Sequence, residues 1–235
     1  MGGSMSDKSA LVIGAGGLGG PAALALAAAG VGRLTLVDED AVESSNLNRQ
    51  PLFGEADLGR RKAEAAVSRI SRIHPGVTVD ARDARFAPDI APALVQGADV
   101  VVDASDNFAT RFLANDSALA ARRPLVHGGV LRYSAQFLTV MPGKTGCLRC
   151  LFEAPPAEGT VPTCAQAGVL GALAGFAGAL MGAEALRLLA GERGAYAGRL
   201  VAFDGRTGRT RLVPVRVRAG CPACSAVAGA TQEGA

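Results

Sequence analysis

Ala10-Leu11-Val12-Ile13-Gly14-Ala15-Gly16-Gly17-Leu18-Gly19-Gly20 decides the fold of this chain. A short apolar run ends in glycines spaced G-x-G-x-x-G (Gly14, Gly16, Gly19), and an alanine-rich helical stretch continues to Ala29. Gly14 permits a tight strand-to-helix turn, Gly16 lets a phosphate approach bare backbone, and Gly19 lets the helix pack close to the strand. The free N–H groups and positive dipole end of that helix then face an anion. Arg33-Leu34-Thr35-Leu36-Val37-Asp38 follows as a second strand with a carboxylate at its tip. That is where a ribose-binding acid belongs in a mononucleotide-binding βαβ unit. The glycine pattern alone is a weak signal that would equally suit a dehydrogenase. Strand, helix, second strand and terminal Asp in this order specify nucleotide binding without saying which nucleotide.

Working outward, 235 residues suit one large domain, with hydrophobic residues at 49% and no Trp. This composition fits close-packed α/β layers and argues against disorder. We expect a flexible leader over 1–8, one domain over 9–228 and a flexible tail over 229–235. A formal charge of +3, scattered along the chain, leaves no footprint for nucleic acid. No apolar core precedes the first strand as a signal peptide would require, and a cytoplasmic location is expected.

After Asp38 a polar loop (Glu39 to Gln50) lies where a doubly wound sheet covers its ligand. Gly59 to Ile73 reads as a helix, Val77 to Ala81 as a strand, 89–96 as a short helix and Ala98 to Asp103 as a fully buried strand. A helix over 108–121 and a strand from Pro124 to Val130 complete the alternation. Ser134 to Val140 then alternates like a half-exposed strand, and Arg199–Asp204 pairs with Thr210–Val217. The expected fold is α/β: a Rossmann-like mixed sheet, parallel in its first half and antiparallel in its second, with helices on both faces. Residues 153–163 read as a mobile loop. Ala165 to Ala190 approaches the ~20 apolar residues of a membrane span, but Ala and Gly solvate lipid poorly and Glu184 and Arg187 follow at once. A buried helix, packed where backbones come very near, is the better reading, and no membrane partner is expected.

Four of the five cysteines form Cys147-x-x-Cys150 and Cys221-x-x-Cys224. Two such pairs can close the tetrahedron of a structural Zn²⁺ site, tying a C-terminal segment to the middle of the chain. Two disulfides or buried free thiols are the alternatives. Cys164 stands alone at the expected start of the long helix, where the dipole would favour a thiolate, although an isolated cysteine is as readily a small buried hydrophobe.

Together these pieces resemble the HesA/MoeB/ThiF family of bacterial adenylyltransferases related to ubiquitin-activating enzymes. The resemblance is carried by the glycine loop, Asp38, Ser45-Asn46-Leu47-Asn48-Arg49-Gln50, Lys62, Asp103-Ala104-Ser105-Asp106-Asn107, Thr163-Cys164 with Ala167-Gly168-Val169, and the paired CxxC motifs. It implies that ATP and the C-terminal Gly-Gly carboxylate of a ubiquitin-like sulfur-carrier protein react to a carrier acyl-adenylate and pyrophosphate, a step toward a thiocarboxylate. By the same resemblance Arg49 and Lys62 contact phosphates, Asp106 holds Mg²⁺ and Asp38 takes the ribose hydroxyls. Gly17, Ser45, Asn46 and Asn107 line the nucleotide, Cys164 joins a later sulfur step in some members, and the protein is a homodimer. A non-catalytic scaffold that binds carrier and nucleotide is the second reading. Family members usually carry an arm arginine that reaches the ATP phosphates. None of the nine residues before Ala10 is arginine, so either another basic residue substitutes, Arg60 and Arg61 near Lys62 first, or the nucleotide site is weaker and more open than usual.

Overall fold

The computed structural model describes residues 4–157, 159–161 and 164–229. Thr163 of the quoted motif, residues 1–3 of the expected leader and 230–235 of the expected tail lie outside them. The first βαβ unit is β1 (Ser9–Ile13), α1 (Gly19–Ala28) and β2 (Arg33–Val37). The alternation continues through α2 (Lys62–Ile73), β3 (Thr78–Arg82), α3 (Ala91–Gln96), β4 (Val100–Asp103), α4 (Phe108–Ala120) and β5 (Leu125–Leu131). Then come β6 (Ser134–Val140), the short helices α5 (Leu148–Leu151) and α6 (Cys164–Ala167), and the long α7 (Gly171–Leu189). The hairpin β7 (Arg199–Asp204) and β8 (Arg209–Pro214) precedes α8 (Pro222–Gly229).

All eight strands join one sheet in the order β3-β2-β1-β4-β5-β6-β7-β8. Pairs from β3 to β5 are parallel, and those from β5 to β8 are antiparallel, the mixed sheet the sequence leads one to expect. Both faces are covered, and the strand pattern shows why. Ala10 and Val12 of β1 point into a core shared with α1, α2 and α7, while Leu11 and Ile13 point into a second core shared with α3, α4 and α8. A strand buried on both sides has no polar face to present, which is why β1 and β4 read as unbroken apolar runs.

Two expectations change. Residues 4–8 are part of the fold: Met5–Asp7 form a 3-10 turn capped by Ser4, and the Gly32 N–H donates to the Met5 carbonyl at 3.0 Å. The long helix begins at Gly171 rather than near Ala165, because Gly168 takes φ +76° and breaks the chain between α6 and α7. Cys164 therefore opens a four-residue turn and receives no long-helix dipole.

Helix α7 is long and apolar enough to cross a membrane, yet 56% of it is buried in this fold. Its glycines serve close packing. A Cβ on Gly178 would lie 2.2 Å from the Leu18 carbonyl oxygen, whereas one on Gly175 would meet nothing within 4 Å. We expect Gly178→Ala to cost about 1–3 kcal/mol through overpacking. Gly175→Ala should be neutral or stabilising by about 0.5–1 kcal/mol through helix propensity. Urea midpoints of both variants against wild type test this, and equal behaviour would refute the packing argument.

Candidate functional site

The parallel strands reverse their order of growth between β1 and β4, and a crevice opens beyond their carboxyl ends, where ligands of such sheets bind. The glycine turn forms one wall. Gly14 takes φ +89°, and a Cβ on Gly19 would fall 1.7 Å from the Gly14 carbonyl oxygen. Helix α1 can start directly on the strand tip only because both positions lack side chains. The Ala15 N–H donates to Asp38 Oδ2 at 2.7 Å and the Asp40 N–H to Asp38 Oδ1 at 2.9 Å, so the β2-tip carboxylate is locked beside the turn. Burial is the largest influence on Asp38 and raises its pKa, against the opposing Lys62 charge and these two amides.

Gly14, Gly16, Gly17, Asp38, Arg49, Lys62, Asp106 and Cys164 all line this crevice, so most of the expected site residues meet at one point. Its enclosed volume of about 100 Å³ falls short of the ~300 Å³ at which ligand pockets begin. A bound nucleotide would keep part of itself in the open mouth. Lys62 is buried at the start of α2 and pairs with Asp40 at 2.7 Å. Arg49 Nη1 donates to the Ser45 carbonyl at 2.8 Å and to Asn48 Oδ1 at 3.1 Å.

Other expected residues build the site without reaching its wall. Asn46 Oδ1 accepts from the Glu43 N–H and Ser45 Oγ donates to Glu43, so both hold the loop that carries Arg49. Asn107 Oδ1 accepts from the Thr110 N–H and caps α4. Gly19 is spent on packing. Nor do Arg60 and Arg61 replace an arm arginine at this crevice. Arg60 pairs with Asp57 at 2.7 Å, and Arg61 donates to Asp83 at 2.7 Å and to the Glu39 carbonyl. Their nearness to Lys62 in sequence misleads because Arg61 precedes the helix and turns outward.

The wall residues not foreseen as site residues include Asp40, Gln50, Ser105 and Arg111. Gln50 is buried, and its Oε1 has no hydrogen-bond partner among the described residues. The adjacency of Gln50 to Arg49 was a usable signal, whereas Arg111 lies inside a helix with no motif of its own. Cys164 Sγ lies 3.4 Å from the Val130 carbonyl oxygen. Burial, with the negative charge of Asp106, raises its pKa more than Arg111 and Arg49 lower it, so it is a thiol at neutral pH.

A second, larger cavity of about 1160 Å³ adjoins the crevice. It is mostly apolar, bounded by Phe108, Phe112, Leu138, Leu148 and Phe152. Under its floor Asp103 is fully buried, with Ser105 Oγ donating to Oδ1 at 2.6 Å and His127 Nδ1 2.7 Å from Oδ2. Burial alone would raise the Asp103 pKa, but His127, Arg111 and Ser105 outweigh it and hold the pKa below the usual carboxylate range.

The four paired cysteines meet on the same side of the sheet as α4. Their Sγ atoms lie within 4.8 Å of one another, with contacts of 3.5, 3.8 and 3.9 Å. Ligands about 2.3 Å from a tetrahedral centre would stand about 3.8 Å apart, so the spacing fits one metal ion. It is far beyond the ~2.05 Å of a disulfide. Burial pushes the Cys147 thiol up to about 11, while the backbone N–H groups of Arg218 and Cys147 overcome burial at Cys150 and bring it down to about 7.

Residues 4–225 match the family model described as the ThiF family. The chain is 44% identical over 222 residues to the SAMP-activating enzyme E1 of Haloferax volcanii, covering 94% of this chain and 82% of that protein. It is 43% identical over 225 residues to the sulfur carrier protein adenylyltransferase of Thermus thermophilus, covering 94% and 83%. It also matches mouse adenylyltransferase and sulfurtransferase MOCS3 at 45% identity, covering 91% of this chain but 46% of that protein. Among solved structures, E. coli MccB superposes with a TM-score of 0.83 at 21% identity, covering 94% of this chain and 66% of that one, a likeness of fold.

A carboxylate whose pKa is depressed on folding stabilises the protein above its unfolded pKa of about 3.9, and loses that contribution as pH falls through the folded value. We expect Asp103→Asn to cost about 3 kcal/mol at pH 7 by orphaning its buried partner. The gap to wild type should close as the pH drops below about 4. Urea unfolding between pH 7 and 3 measures this, and a gap constant with pH would refute it.

Proposed function

The chain belongs to the ThiF family, and from that premise we propose that it adenylates the C-terminal Gly-Gly carboxylate of a ubiquitin-like sulfur-carrier protein, using ATP and releasing pyrophosphate. One observation carries the reading: a polar crevice with phosphate-seeking cations opens beside an apolar cavity wide enough for a polypeptide tail. The product would be a step toward a thiocarboxylate of the kind used in thiamin or molybdopterin-type cofactor synthesis.

A terminal carboxylate is already ionised at neutral pH, so its oxygen attacks the α-phosphorus without a strong base. One P–O bond forms as the bond to the pyrophosphate leaving group breaks, and negative charge accumulates on the phosphoryl oxygens. Fixed cations aimed at that charge do most of the work. In this chain they are Arg49, braced by the Ser45 carbonyl, and Lys62, held by Asp40. Asp38 would accept the ribose hydroxyls, and the backbone at Gly16 and Gly17 lies open to phosphate.

Asp106 is exposed on the crevice wall with no ion-pair partner among the described residues, a fit for an oxygen-seeking cation. Mg²⁺ held there would supply charge neutralisation at the phosphates. Cys164 would act only after adenylation, since a neutral thiol is no help in attacking phosphorus. We assign Zn²⁺ to the cysteine cluster on its all-sulfur donor set, where four thiolates leave no open catalytic position. Assembly as a homodimer is part of the same proposal.

Two measurements test this. Asp106→Ala and Arg49→Ala should each lower carrier-dependent ATP–pyrophosphate exchange by at least ~10²-fold, the scale of losing one preorganised charge contact. Exchange that persists in both variants, or is absent from wild type with every Gly-Gly carrier tried, would refute the reading. Elemental analysis should find one zinc per chain, and Cys221→Ser should lose metal and thermal stability together. Metal-free protein of unchanged melting temperature would refute the zinc assignment.

A further inference from the structure

Resting on the adenylation reading, we propose that Arg111 receives the terminal carboxylate of the incoming polypeptide and directs it into the nucleotide crevice. Among the described residues, only Arg111 and Val130 line both cavities, so together they mark the passage between them. A chain end moving from the large cavity toward the nucleotide must pass this guanidinium.

The side chain is set for that task from three directions. Its Nε and Nη2 donate to the Ser105 carbonyl at 3.3 and 3.1 Å. Its plane lies over the Phe108 ring, 5.4 Å from the centroid. Opposite is Gly129, where a Cβ would come within 3.0–3.3 Å of the guanidinium atoms, so the missing side chain makes the space Arg111 occupies. The Ser105 carbonyl that grips it is itself fixed, because the Ser105 N–H and Oγ both donate to Asp103, which His127 holds from the other side. Asp103 is thereby committed, and Arg111 forms no ion pair among the described residues. Its Nη1 makes no hydrogen bond there either.

The location selects the ligand. Phosphates in the crevice would face Arg49 and Lys62, whereas the large cavity is walled chiefly by apolar side chains, with Arg132 and Arg206 as its other cations. The anion that arrives through an apolar groove is a chain terminus. A guanidinium matches a carboxylate with two parallel charge-assisted bonds, a geometry an ammonium cannot reproduce.

The test needs no turnover. A short synthetic peptide ending in Gly-Gly is made as the free acid and as the C-terminal amide, and binding of each to the full chain is followed by NMR titration. Wild type should prefer the acid by roughly tenfold, the scale of one charge-assisted contact. Arg111→Gln should bind both equally, and Arg111→Lys should keep part of the preference, which a purely structural role would not produce. ATP affinity of Arg111→Gln should change by less than about threefold, since the phosphates have their own cations. A wild type that does not distinguish the peptides overturns the proposal, whatever its exchange activity. So does a preference that survives Arg111→Gln, and so does a tenfold loss of ATP affinity with the preference intact, which would make Arg111 a phosphate ligand. Absent exchange with an intact, Arg111-dependent preference would instead sink the adenylation reading and leave this one standing.

Discussion

Backbone resting on backbone is the constraint from which the rest follows. The start of α1 lies against the Gly14 carbonyl, and α7 lies against the Leu18 carbonyl at Gly178. Neither contact admits a methyl group. Close approach of three backbones fixes the glycine turn from in front and behind, aims the open N–H groups of α1 at the crevice, and brings Ala174 of α7 to its wall. The apolar packing around these contacts supplies most of the stabilisation, while the glycines decide where that packing can happen.

Charge is distributed to match. Around the crevice, buried or braced cations stand beside carboxylates whose neighbours set their ionisation: Asp38 raised by burial, Asp103 held low by His127. The adjoining cavity is mostly apolar, and among the described residues Arg111 alone carries charge across the boundary. The cysteine cluster lies apart from this chemistry. It joins the segment after β6 to the segment after β8, closing a loop of chain that carries α6, α7 and the β7–β8 hairpin. A metal held there would cross-link the two segments beside the core they share with α4.

Much of this was written in local sequence. The G-x-G-x-x-G turn, the terminal carboxylate at Asp38, the doubly buried strands and the CxxC pairs all act over a few residues, so spacing and residue type are enough to read them. The antiparallel half was legible too, because alternation in 134–140 and the turn at Gly205 are equally local signals. What local reading could not give was the use each side chain is put to in the fold. Ser45, Asn46 and Asn107 sit in the family motifs, and their side chains cap a helix or brace a loop. Cys164 lost its helix dipole to a single left-handed glycine.

The sequence by itself determined the fold class, the glycine turn at the carboxyl end of the sheet and the set of four paired cysteines, because each rests on periodicity or on residues paired within a turn. Only the tertiary structure decided which cations face the crevice. Arg60, Arg61 and Lys62 are adjacent in the chain, yet Lys62 is buried at the wall while its neighbours pair with acids outside it. Arg111 has no motif, but β5 brings Gly129 against it and the loop after β4 supplies the Ser105 carbonyl that holds it. A side chain's electrostatic role is set by what long-range strand pairing places around it, and that information is spread over residues too far apart for any local pattern to carry.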